Sequence, residues 1–139
     1  MFPKKVHYGL RFLLTLSGLA EGSHLGVAEI AERERLSVKF LEAIAVALRK
    51  GNIVNVRRGA GGGYSLAKPL KEITLYEIVL LLDEKLDKTI ATEGSTTEKA
   101  VGRFLTSVRN DYGRLLRRVT LEKLRNYFAE ENESIMYYI

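Results

Sequence analysis

The chain has 139 residues, 46% hydrophobic and 28% charged, enough to bury a core and too apolar for a disordered tail. It has no cysteine and only two histidines, which excludes disulfides, thiolate metal sites and cysteine-held iron–sulfur clusters; neither cofactor nor metal is expected. A net charge of +5 points to an anionic partner, and no apolar run reaches the roughly 20 residues of a bilayer span, so the expected compartment is the cytoplasm.

Residues 4–21 are apolar on nearly every side: Val6, Leu10, Leu13 and Leu14 on one, Tyr8, Phe12, Leu16 and Leu19 on another. That predicts a helix buried from several directions. A short helix follows over Val27–Arg33, then a tight turn at Arg35-Leu36-Ser37. Ser37 is suited to N-cap a helix over Val38–Lys50, with Leu41, Ile44, Ala45 and Leu48 inward and Gly51 as its C′ stop. Two helices joined this way are the helix-turn-helix pattern. Ile53–Arg57 and Tyr64–Leu66 flank a glycine-rich stretch and predict a β-hairpin with a flexible tip, a wing.

Thr74–Glu77 is a capping box that opens a helix to about Asp83, and the polar residues 84–97 read as a loop. Ser95–Glu98 is a second capping box, opening the longest helix, to about Arg118. Along it Val101, Phe104, Leu105, Val108, Tyr112, Leu115, Leu116 and Val119 recur at steps of three and four as one continuous stripe. Such a stripe is too large to leave in water, which predicts a dimerisation surface. A last amphipathic helix spans Leu121–Glu131, with Leu121, Leu124, Tyr127 and Phe128 on one side. The expected fold class is mainly α with a small β-hairpin wing. Residues 1–83 form the winged helix-turn-helix, and 84–139 the loop, dimerisation helix and C-terminal helix.

From Ala43 to Lys71 there is no acidic residue, while Arg49, Lys50, Arg57, Arg58, Lys68 and Lys71 all fall there. One-sided charge over a glycine-rich loop favours nucleic acid over a merely solvated face. Opposite the core stripe of the second helix lie Lys39, Glu42, Ala43, Val46 and Lys50. Small apolar side chains permit close approach in a major groove, while Lys39 and Glu42 suit guanine and cytosine edges. The other reading buries Val46 against a neighbouring element. Arg58-Gly59-Ala60-Gly61-Gly62-Gly63 lacks the Lys-Ser/Thr and the helix of a nucleotide phosphate loop. It suits a wing whose backbone follows a phosphate strand and whose Arg58 enters a minor groove. Glu29, Glu32 and Glu34 crowd one short helix with no nucleophile or metal-binding histidine to pair with, so no enzyme is expected.

Ile30-Ala31-Glu32-Arg33, Leu36-Ser37, Phe40-Leu41-Glu42, Leu48-Arg49-Lys50 and the run Arg58–Leu66 resemble the Rrf family of winged-helix regulators. The resemblance continues through Ile73–Val79 and Leu82-Asp83-Glu84 and resumes at Val119-Thr120-Leu121. It implies a transcription regulator that binds operator DNA as a homodimer, its long helix crossing the partner's copy. It also implies contacts from Ser37, Lys39, Phe40 and Glu42 on the recognition helix and Arg58 on the wing, with Glu42 aligned to a glutamate that gates sequence choice in a relative. The full expected DNA-binding set is Ser37, Lys39, Phe40, Glu42, Ala43, Val46 and Lys50, with Arg57, Arg58, Gly59, Gly61, Gly62 and Tyr64 on the wing.

Three departures qualify the resemblance. Sensing relatives place three cysteines in the loop before the long helix, whereas Asp87–Lys99 has none. His7 sits where some relatives supply a ligand, but one histidine per subunit cannot replace three thiolates. Ala60 stands where proline is usual, leaving a more mobile tip. The expectation is a cluster-free homodimeric repressor on double-stranded operator DNA, answering to an unidentified effector or protein partner. The alternative is a winged-helix module that regulates through a partner protein.

Overall fold

The computed structural model describes residues 1–137, so the last two residues of the 84–139 part lie outside the described residues. In chain order the elements are α1 (Lys4–Ser17), α2 (Val27–Glu34), α3 (Val38–Lys50), β1 (Val54–Arg57), β2 (Gly63–Leu66), a 3-10 turn at Leu70–Glu72, α4 (Leu75–Leu82), α5 (Thr96–Arg118) and α6 (Glu122–Tyr137). This is a winged helix-turn-helix followed by one long helix.

α1 ends four residues before the apolar pattern does, at Ser17, with Gly18 as its C-cap. Glycine removes helix propensity there, and the released segment carries Leu25 to the wing. Leu25 exchanges backbone hydrogen bonds with Tyr64, at 3.0 and 2.8 Å, and so adds a short third pairing to the β1–β2 hairpin. Within the hairpin Val54 faces Leu66 and Val56 faces Tyr64.

The turn between α2 and α3 closes with Arg35 in the left-handed region, φ 55°. The Leu36 N–H donates to the Ala31 carbonyl at 2.9 Å. Arg11 of α1 holds the turn from outside, its Nε 2.8 Å from Glu34 Oε1. Leu41, Ile44, Ala45 and Leu48 of α3 are buried against Phe12 and Leu13 of α1 and Ile78, Val79 and Leu82 of α4 in one core. Leu116 and Leu121 join that core from beyond residue 83. The Leu75 N–H donates to Val119 O at 2.8 Å and the Leu121 N–H to Ile73 O at 2.9 Å, which stitches the end of α5 to the start of α4.

The stop of α3 differs from the expectation. Gly51 is not left-handed, with φ −84°, and Asn52 takes that conformation at φ 60°. The Ile53 N–H then reaches Leu48 O at 3.0 Å. Gly51 matters for packing instead: a Cβ there would overlap the Leu81 side chain of α4.

α4 begins with the expected capping box, Thr74 Oγ1 accepting from the Glu77 N–H at 3.2 Å and Glu77 accepting from the Thr74 N–H at 2.8 Å. Lys68, just past β2, is 2.7 Å from Glu77 and ties the wing's root to this cap. Burial alone would raise the Glu77 carboxyl, but the Lys68 ammonium and the Thr74 N–H outweigh it and hold the group below its ordinary value near 4.5.

Two expectations follow from these contacts. Asn52→Gly should change stability by less than about 0.5 kcal/mol, while Gly51→Val costs about 1–3 kcal/mol by overpacking, both read by urea unfolding. Glu77→Gln should cost about 0.5–1 kcal/mol at neutral pH, since cap and pair are partly solvated. A lowered folded-state pKa stabilises above about 4.5 and loses that contribution as pH falls through the lowered value. The gap between wild type and variant should therefore close on acidification; a constant gap contradicts the pairing.

Candidate nucleic-acid interface

α3 starts at Ser37, whose hydroxyl accepts from the Phe40 N–H at 3.3 Å. With its inner face buried, a step of about 100° per residue turns Val38, Lys39, Glu42, Ala43, Val46, Arg49 and Lys50 outward along one arc, and all seven are exposed. Val46 is 45% exposed and Val38 42%, so Val46 is not buried against another element. Val38 and Arg49 are additions to the expected face. Arg49 follows Glu42 by seven residues, two turns along the same row, a spacing already present in the sequence.

Phe40 lies off this arc. It is half-buried with its ring edge-on to Tyr8 at 5.5 Å, so it helps seat α3 on α1. Tyr64 likewise turns under the wing, half-buried and edge-on to Phe12 at 5.7 Å. Arg57, Arg58, Gly59, Ala60 and Gly61 are exposed at the tip. The Gly62 N–H closes the tip on Gly59 O at 3.0 Å. Gly59 and Gly61 have φ of 96° and 73°, a turn that side chains with a Cβ adopt at a cost. The basic segment is therefore sorted by the fold: Lys68 is neutralised by Glu77, while Arg49, Lys50, Arg57, Arg58 and Lys71 remain exposed and outside any ion pair among the described residues.

The long-helix stripe also divides. Val101, Phe104, Leu105, Val108 and Leu115 are exposed, Phe104 at 67%. Leu116 instead turns into its own subunit's core, and Tyr112 and Val119 are half-buried beside it. Burial, and then the charge of Asp83, push the Tyr112 hydroxyl above its ordinary value near 10. α5 packs against its own α4 along only part of that apolar arc, and the rest of the row stays exposed.

A family model described as Rrf2, iron-dependent transcriptional regulator, matches residues 2–127. The HTH-type transcriptional regulator IscR of Escherichia coli is 34% identical over 85 residues, 61% of this chain and 52% of that protein. The chain spans about half the length of the curated relatives it matches. Among solved structures, CymR, the global cysteine regulator of B. subtilis, aligns with TM-score 0.71 and 28% identity over 91% of this chain and 97% of that one. T. potens IscR aligns with TM-score 0.68 and 27% identity over 94% and 90%.

The family description names iron, and the donors here do not fit an iron centre. There is no cysteine; His7 is exposed on α1 and His24 half-buried before β-paired Leu25. Among the described residues no group of three or more His, Cys, Asp or Glu is arranged to hold a metal ion. Nor is any described helix long and apolar enough to cross a membrane. With the family model spanning residues 2–127 and the helix-turn-helix, wing and long helix shared with solved relatives, the chain belongs to the Rrf2 family of transcriptional regulators.

Proposed function

We propose that this regulator binds a specific operator as a homodimer in the cytoplasm, without an iron–sulfur cluster, and acts as a repressor. The observation that carries the reading is the outward arc of α3, where exposed Val38, Ala43 and Val46 lie among Lys39, Glu42, Arg49 and Lys50. Apolar side chains at the centre of an exposed helix face cost solvation, and a major groove with thymine methyls offsets that cost. The wing supplies the sequence-independent part: Arg57 and Arg58 on a narrow glycine tip suit phosphate and minor-groove contact.

Dimerisation is supported by Val101, Phe104, Leu105, Val108 and Leu115, one exposed apolar row on α5, with Tyr127 and Phe128 exposed on α6. In this reading residues 1–83 carry the DNA-binding part and 84–139 the pairing part. A dimer seated across successive major grooves occludes that stretch from other proteins, which is the basis for repression.

In solution without DNA, sedimentation should give twice the 15.7 kDa chain mass. Phe104→Glu should lower it to one chain; a wild-type monomer at micromolar concentration contradicts the pairing. Arg58→Ala should weaken binding to matched and scrambled duplexes alike and reduce the log–log salt slope by about 1 per site. Glu42→Ala should instead relax base preference, each altered base contact being worth about 1–3 kcal/mol. An unchanged salt slope for the first, or an unchanged preference for the second, assigns DNA to another surface.

A further inference from the structure

A cleft of about 510 Å³ opens between α5, the segment at residues 86–92 and Tyr76 of α4. Its walls carry Arg109, Arg114 and Arg117 against a single carboxylate, Asp87. The cleft keeps a net positive charge. Arg114 pairs with Asp111, but Arg109 donates to the neutral carbonyl of Lys88, and Arg117 lies over the Tyr76 ring, 3.9 Å from its centroid. Among the described residues neither Arg109 nor Arg117 has a carboxylate within ion-pair distance.

The concavity is held open by the chain itself. The Lys88 carbonyl on Arg109 fixes one point of the segment, and Ala91 rests on Gly102, where a Cβ would overlap its carbonyl. Thr92 and Asn110 add a hydroxyl and an amide donor to the same walls, while the Thr106 hydroxyl donates to the Gly102 carbonyl at 2.8 Å. An ordinary solvated helix face spreads its arginines over a convex surface. Here three guanidiniums line one recess, and their planar forks match carboxylate or phosphate oxygens. Asn110 and Arg117 follow Val108 by two and nine residues, about half a helical turn away from the exposed apolar row. The Asn110 and Arg117 side of the cleft therefore faces away from that row.

We infer that this cleft binds a small organic anion bearing carboxylate or phosphate groups, and that the anion is the effector of the DNA face; the second half rests on the proposed function. The route to the DNA face is short. Tyr76 precedes Glu77, the residue that caps α4 and holds Lys68 at the root of the wing. Further along α4, Leu81 and Leu82 abut Gly51 at the end of α3 and Gly9 of α1. An anion that draws Arg117 toward the cleft acts on the helix that seats both α3 and the wing.

The test is calorimetric titration of the full chain with citrate and with inorganic phosphate, each against sodium chloride of equal ionic strength, followed by duplex binding with and without the tighter probe. Saturable binding is expected for at least one probe, and which one identifies the acid group. Arg117→Gln and Arg109→Gln, checked as folded by heat unfolding, should each weaken it about tenfold or more. Arg58→Ala should bind the probe like wild type, since it alters the DNA face alone. The bound probe should shift the duplex-binding midpoint of wild type and not of Arg117→Gln. Absence of saturation with both probes, or wild-type affinity retained in both arginine variants, overturns the site. Probe binding with an unmoved duplex midpoint overturns its effector role, and a chain that binds the probe but no duplex contradicts the proposed function alone.

Discussion

Burial of the inner face of α3 decides the direction of everything the chain presents outward. Leu41, Ile44, Ala45 and Leu48 are at most 1% exposed, locked between α1 and α4. Truncating one such leucine or isoleucine to alanine costs about 2–5 kcal/mol, whereas an exposed pair such as Arg33–Glu29 contributes about 0.5 kcal/mol or less. The core, not the surface charges, therefore sets the roll of α3 about its axis. Because the periodicity is fixed at 3.6 residues per turn, the same burial aims Val46, Glu42 and Arg49 at solvent together. A rotation of one residue toward Glu42 and Arg49 would bury those charges and expose Leu41 and Leu48.

α4 is the second constraint, and it is short. Its eight residues touch the wing through Glu77 and Lys68, α3 through Leu81 at Gly51, α1 through Leu82 at Gly9, and α5 through Tyr76 under Arg117. The capping box matters because a helix of two turns contributes little stability by itself. Its position comes from packing against the wing root, α1, α3 and α5, which is also why a change at one contact is felt at the others.

Much of this was legible from residue spacing. The inner face of α3, both capping boxes and the hairpin follow from period and local chemistry that act within a few residues. What escaped were choices made by distant partners. Gly51 carries the usual sequence signal of a helix stop, yet its small size serves Leu81, thirty residues on, and Asn52 supplies the left-handed turn. Phe40 and Tyr64 sit beside exposed residues, but Tyr8 and Phe12 of α1 draw their rings inward. Leu116 matches the apolar row of α5 in spacing and belongs to its own core in fact. Lys68 reads as one more cation of a basic segment until Glu77 is brought beside it. Gly102, inside a helix, carries a signal that spacing alone does not interpret: it is where the chain passes close at Ala91.

In the proposed function the α3 arc and the wing tip face the same duplex. Because the chain has no cysteine, Val38→Cys and Ala60→Cys can each carry one DNA-cleaving chelate at the edge of that face, with Lys123→Cys on α6 as the distant position. On a duplex selected for binding, cuts are expected from positions 38 and 60 at neighbouring, offset nucleotides and none from position 123. Cuts from position 123, with none from 38 and 60, would contradict that placement.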